Sequence, residues 1–251
     1  MKTRIPSLIA GVAIAGALAF SSAAIVTATA PLIPAGRGVC AAQFTALKAP
    51  VTVDALRAFG DCEIQRRFTT LATLATRVSG SKVLTSSDAA ALTAEIGATK
   101  TGLTDLKATI DAETSIPALK ADIARIATDY RVYLLVGPKV HLVSGADGVV
   151  ASQATFTKID TNLAARIAAA KAAGKDTTTA QTDLDAMNAA VAQAVGLATP
   201  LPATLLPLTA AQYNAGTAGP VLNSARTALV QARDLLRSAI QDAKACRTAL
   251  A

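Results

Sequence analysis

The only histidine of the chain, His141, sits in the stretch YRVYLLVGPKVHLV at residues 130–143, which also holds two of the three tyrosines. An imidazole acting there as a general base would need an orienting or accepting group within hydrogen-bond reach. Tyr130, Lys139 and Asp147 are the neighbours on offer. Asp147 lies six positions on, away from the i+3 and i+4 positions that share a helix face. A strand over VHLV would find no second strand nearby to pair with. The third reading makes Gly137 and Pro138 a helix junction. Proline removes an amide donor and disfavours helix at the residue before it, while glycine tolerates the backbone angles of a sharp corner. Apolar residues crowd both sides because a corner packs from two directions. The junction is favoured over a ligand pocket and over catalysis, with His141 as a partly buried packing residue.

The remaining chemistry-bearing residues are scattered. A single histidine excludes a metal–histidine cluster, and no G-x-S-x-G elbow, phosphate-binding glycine loop or H-E-x-x-H motif occurs. No residue is therefore assigned a catalytic, cofactor-binding or metal-binding role, and no cofactor is expected. Nucleic acid is not an expected partner, because aromatic residues that could stack on bases make up only 3% of the chain. Arg226, Arg233, Arg237, Lys244 and Arg247 form a broad basic band beside the apolar face of the last helix. As a contact strip, the band would meet an anionic cell-wall polymer or a membrane surface. The favoured reading is plainer: solvated arginines whose stems cover the edge of the core.

The elements that must position these residues begin behind an export leader. MKTR supplies a positive end, LIAGVAIAGALAF an apolar centre and SSAAIVTATA a small-residue exit. Cleavage after Ala23, Ala28 or Ala30 fits, with Ala28 preferred because Pro31 follows Ala30. The uncharged run between Arg4 and Arg37 also suits an uncut membrane anchor. Residues 1–30 are thus read as a signal peptide or anchor, and the body as exported, either secreted or held at the cell envelope. Residues 31–51, with three prolines and two glycines, are read as a flexible tail. Loss of Lys2 and Arg4 would leave 22 basic against 17 acidic residues, a mildly cationic surface. Cys40, Cys62 and Cys246 would meet an oxidising compartment, where one disulfide and one spare thiol allow three pairings. Cys62 with Cys246 is favoured, since the first and last long helices would bring them together if antiparallel.

Beyond the tail the chain is helical by pattern. It holds 59 alanines and no tryptophan, and alanine has the highest helix propensity. Apolar residues recur at alternating steps of three and four: Ile64, Phe68, Leu71, Ala75 and Val78; then Leu92, Ile96, Leu103, Leu106 and Ile110. A third stripe runs from Ile116 through Leu119 and Ile126 to Tyr133. The fourth and fifth carry Phe156, Leu163 and Ile167, and Leu184, Met187 and Val191, with the last from Leu222 to Cys246. Thr85 with Asp88 reads as a capping pair, Ser115 as a cap before Pro117, and Gly174 as a left-handed helix stop. Thr199–Gly219 is read as a break. The expectation is an all-α, elongated antiparallel bundle of about six helices with coiled-coil-like packing. Residues 52–136 would form one three-helix segment, and 139–251 a second packed with it.

The chain resembles a group of exported, alanine-rich, all-helical bacterial proteins. The resemblance is carried by EIQRRFTTLATL at 63–74, KVLTSSD at 82–88, DYRVYLLVGPKVHLV at 129–143 and AAGKD at 172–176, with the YRVY segment the most specific part. It implies export and helical architecture and carries over no activity or site residues. The three cysteines are not part of that pattern. The function expected from all this is a non-enzymatic spacer, scaffold or protein-interaction module, with another envelope protein as its candidate partner. The alternative is an envelope module that binds an anionic surface through the last helix.

Overall fold

A computed structural model of the chain describes residues 38–48 and 50–251. The expected leader at 1–30 and the first part of the expected tail lie outside the described residues. Those that are described belong to one compact, all-helical unit with no strands among them. The long helices are α2 (Val53–Gly80), α3 (Ser86–Ala112), α4 (Ile116–Thr128), α5 (Gly137–Ala172), α6 (Thr178–Ala198) and α9 (Ala218–Ala249). Three short ones were not legible as helices in the sequence: α1 (Ala41–Ala46), α7 (Leu201–Leu205) and α8 (Ala210–Asn214). Part of the expected tail and part of the expected break after Thr199 are therefore folded.

The helix ends follow local chemistry. Thr85 Oγ1 accepts from Asp88 N at 3.2 Å at the start of α3, and Ser115 Oγ accepts from Ala118 N at 3.5 Å before Pro117. These bonds satisfy amides that the first turn leaves without partners. At the end of α5, Gly174 is left-handed with φ 76°. Its amide bonds Lys171 O at 3.0 Å while Lys175 N bonds Ala170 O at 3.1 Å. That pair of bonds is a Schellman stop, which needs a positive φ where glycine carries no Cβ penalty.

Two hydrophobic cores lie along the molecule. The first gathers α2, α3, α4, α7, the N-terminal half of α5 and the N-terminal half of α9 around residues such as Ile64, Leu92, Leu103, Val143 and Leu229. The second is built from Phe156, Leu163 and Ile167 of α5, Leu184 and Met187 of α6, and Ala239, Ala243 and Cys246 of α9. Helices α5 and α9 thus run in the same direction through both cores, and α6 returns between them. The α6–α9 interface is the most extensive in the unit. Alanines 180, 190, 194, 232, 239 and 243 are buried on these two helices, so small side chains face the contact. Helices α5 and α9 approach closely where Gly145 meets Leu229: a Cβ at Gly145 would stand 3.2 Å from Leu229 Cδ1 and from Arg233 Nη2.

The expected junction at Gly137 and Pro138 is corrected. Gly137 is right-handed helical (φ −60°, ψ −56°), and both residues are buried in the first turn of α5. The chain breaks earlier, after α4 ends at Thr128, where Arg131 takes a left-handed φ of 42°. Between the two lies a π-helical turn, Val132–Val136, and the Gly137 amide reaches back to Val132 O. A proline in an α-helix collides with the carbonyl four residues back and wastes that acceptor. The wider π turn ahead of Pro138 relieves both problems, and the proline stands in the first turn of α5.

The close approach at Gly145 sets a test of packing between α5 and α9. Gly145→Val should lower unfolding stability by about 1–3 kcal/mol, the usual cost of overpacking. In that background Leu229→Ala should cost clearly less than it does alone, measured by urea denaturation. Additive costs would mean that the two helices do not press together at this point.

Candidate functional site

The residues considered for a site around His141 diverge. At about 100° per residue along α5, His141 is turned about 160° from Lys139 and about 120° from Asp147. Each neighbour is engaged elsewhere. Tyr130 donates its hydroxyl to Gly102 O at 2.7 Å, lying so close over α3 that a Cβ at Gly102 would sit 2.6 Å from its ring. His141 itself is half-buried. Burial, followed by the positive charge of Arg77, holds its pKa below the ordinary histidine value.

Lys139 is the least exposed charged residue described, at 1%. Its Nζ donates to Glu95 Oε1 at 2.7 Å, Leu208 O at 2.7 Å and Leu206 O at 3.2 Å. An ammonium has three donors and here finds three acceptors, two of them carbonyls at the end of α7 and just beyond it. The lysine therefore fastens three elements: α5 that carries it, α3 through Glu95, and the connection after α7. Sequence reasoning passed over this role, although a lysine within the apolar run VGPKVHLV was a usable signal.

Asp147, 5% exposed, performs a similar task one helix face away. Its Oδ2 accepts from Thr85 N at 2.8 Å, at the entry to α3. Burial raises its pKa above the usual carboxylate value; the Thr85 amide opposes this, and the nearby Asp88 carboxylate reinforces it. A third buried charge, Arg67, donates through Nη1 to Glu63 O at 2.8 Å and Glu63 Oε2 at 2.7 Å. Its guanidinium lies 5.2 Å from the Tyr133 ring centroid, with that of Arg66 at 4.9 Å. Tyr133 of the π turn is thus held against α2 by two cations. At the chain break, Arg131 donates through Nε to Asn214 Oδ1 at 2.6 Å, and Asn214 Nδ2 donates to Thr128 O at 2.9 Å. Helix α8 thereby clasps the end of α4 and offsets the cost of a left-handed arginine.

The expected pairing of Cys62 with Cys246 is corrected: Cys40 is bonded to Cys62, and Cys246 is free and buried. Cys246 packs in the second core, whereas Cys62 lies in the third turn of α2, which contributes only to the first. Of the basic band on α9, Arg226, Arg237, Lys244 and Arg247 are exposed and Arg233 is half-buried over Gly145. The five fall within about 80° of one another around the helix, over about 30 Å. Arg226 donates to Asn223 Oδ1 at 2.8 Å, and Arg237 pairs with Asp234.

Two open grooves flank α2. One, of about 580 Å³, lies between α2 and α3 and is lined by Phe68, Thr69, Thr73, Thr76 and Lys100. The other, of about 570 Å³, lies beside α1 and is lined by Val39, Gln43, Asp61, Cys62 and Arg66. His141 borders neither. Among the described residues, no three or more His, Cys, Asp or Glu side chains gather as metal ligands. The stretch Ile116–Ala172 contains a window apolar enough to span a membrane, but 56% of that window is buried inside the bundle, as in a core helix. Comparison with known protein families, with characterised proteins and with solved structures finds no match for this chain.

Two variants test these fastenings. Lys139→Met strands Glu95 and two main-chain carbonyls, so stability should fall by about 2–4 kcal/mol in chemical denaturation. Glu95→Gln, which keeps an acceptor, should cost well under half of that. For Asp147, a folded-state pKa raised above the unfolded one means that the protonated form favours folding. That contribution is complete below the ordinary carboxylate pKa and is lost as pH rises through the raised value. Asp147→Asn, whose Oδ1 can still accept from Thr85, should be a few degrees more stable in Tm than wild type at pH 7 and level with it near pH 3. A variant less stable than wild type at pH 7 but level with it near pH 3 would show that the anion is the required acceptor.

Proposed function

We propose that this chain is a non-enzymatic, exported helical bundle that acts as a spacer, scaffold or protein-interaction module, secreted or held at the cell envelope. The observation that carries the reading is the use of its buried charges. Arg67, Lys139 and Asp147 each bind main-chain or side-chain groups of a neighbouring turn or helix, within a unit built on two apolar cores. Such an arrangement supports rigidity along the shared helices α5 and α9. The disulfide between Cys40 and Cys62 supports export, because disulfides persist in oxidising compartments.

A second reading rests on the α9 stripe. Four exposed cations on one face suit an anionic wall polymer or membrane surface, with attraction that weakens as salt screens it. Arg237 beside Asp234 and Arg226 beside Asn223 lower the strength of that strip, which favours the scaffold reading.

Sedimentation of the purified protein with cell wall or anionic vesicles across a salt series separates the two. The scaffold reading expects no salt-sensitive binding, and crosslinking in intact cells that captures neighbouring proteins. Retention at low salt that disappears in an Arg226→Gln/Lys244→Gln/Arg247→Gln variant would transfer the function to the stripe. A hydrolytic activity abolished by one acidic substitution would end both readings.

A further inference from the structure

We propose that the Cys40–Cys62 disulfide is a redox-labile strap: its reduction by a dithiol releases residues 38–46 from α2 and removes one wall of the groove between them, while both cores remain folded. Helix α1 has six residues and buries none of them, and a helix that short does not persist without external contacts. Its ties to the unit are few. The disulfide joins it to the third turn of α2, and the Phe44 ring lies 6.0 Å from that of Phe59. The next attachments are Leu47 and Val51, which pack on the first core and form the fixed end of the strap. Val39 and Phe44 are 68% and 56% exposed, so the free end gains little from apolar burial.

Neither bonded cysteine belongs to the first or second core. Opening the bond therefore removes no packing from either. It does remove one wall of the groove beside α1, where Val39 and Gln43 face Ala58, Asp61 and Cys62. Phe59 loses its ring partner at the same time.

Access decides which sulfur reacts. Cys62 lines the groove, whereas Cys40 is 4% exposed. A thiolate of the dithiol attacks Cys62 Sγ, the S–S bond breaks, and Cys40 leaves as a thiolate that takes up a proton. The second thiol of the reductant then attacks the mixed disulfide. Cys62 is released as a thiol, and the reductant departs as its own disulfide, so two thiols are oxidised for the two cysteines reduced.

Hydrogen exchange on the full chain, before and after dithiothreitol treatment with reduction verified by mass, tests the strap. Amides of residues 41–46, whose bonds are local to their own turn, should exchange at least about tenfold faster after reduction. Those of α2 to α9 should be unchanged, and Cys40→Ser/Cys62→Ser should behave like the reduced protein without reductant. Unchanged protection of 41–46 after complete reduction would show that packing alone holds α1. Faster exchange spreading through α2 and α3 would make the bond a staple of the whole fold. Either result overturns the proposal, and the wild-type reduction gives it even if the double variant does not fold.

Discussion

Helices α5 and α9 must each keep an apolar stripe on one side for more than 30 residues, because each supplies residues to both cores. On α9 the buried positions Leu222, Ala225, Leu229, Ala232, Ala239, Ala243 and Cys246, with half-buried Leu236 among them, follow alternating steps of three and four residues, which keeps the seam facing its neighbours. The two cores are thereby parts of one unit. Leucines dominate where the first core is wide, and alanines where α6 and α9 face each other across the second. Small side chains lose little rotamer freedom on burial, and they let helix backbones approach.

Apolar seams fix the faces of helices but not the position of the segments that connect them, and here polar bonds take over. Lys139 holds the backbone after α7 through two carbonyls. Asp147 holds the turn before α3 through one amide. Asn214 ties α8 to the last turn of α4 and to Arg131. Lys139 and Asp147 are charged groups placed where the main chain would otherwise have unpaired atoms away from water, which is costly; Asn214 makes its tie at the surface. The same logic explains why the stretch around His141 gathers unusual residues. It is where α5 enters the first core and meets α3 and the α7 connection together.

Much of this was legible residue by residue. Thr85, Ser115 and Gly174 were readable as helix boundaries because capping is decided within four or five residues of chain. The stripes on α2, α3, α6 and α9 were readable because burial repeats with the helix period. The junction was misplaced because proline was weighed against an α-helix alone. A π turn ahead of Pro138 and a left-handed Arg131 stabilised by α8 depend on contacts 83 residues apart in sequence. Helices α1, α7 and α8 escaped notice because each is too short to show a period. Of the candidate site, the stripe on α9 was legible from spacing, whereas the roles of Lys139 and Asp147 needed their partners in α3 and after α7.

The sequence by itself determined an all-helical architecture, several termini of its long helices and many of the residues that face inward, since these follow from local capping and periodicity. Tertiary structure alone decided which cysteines meet, where the chain turns between α4 and α5, and which charges are buried. Those outcomes depend on which distant segments arrive at the same place, and no local pattern carries that information.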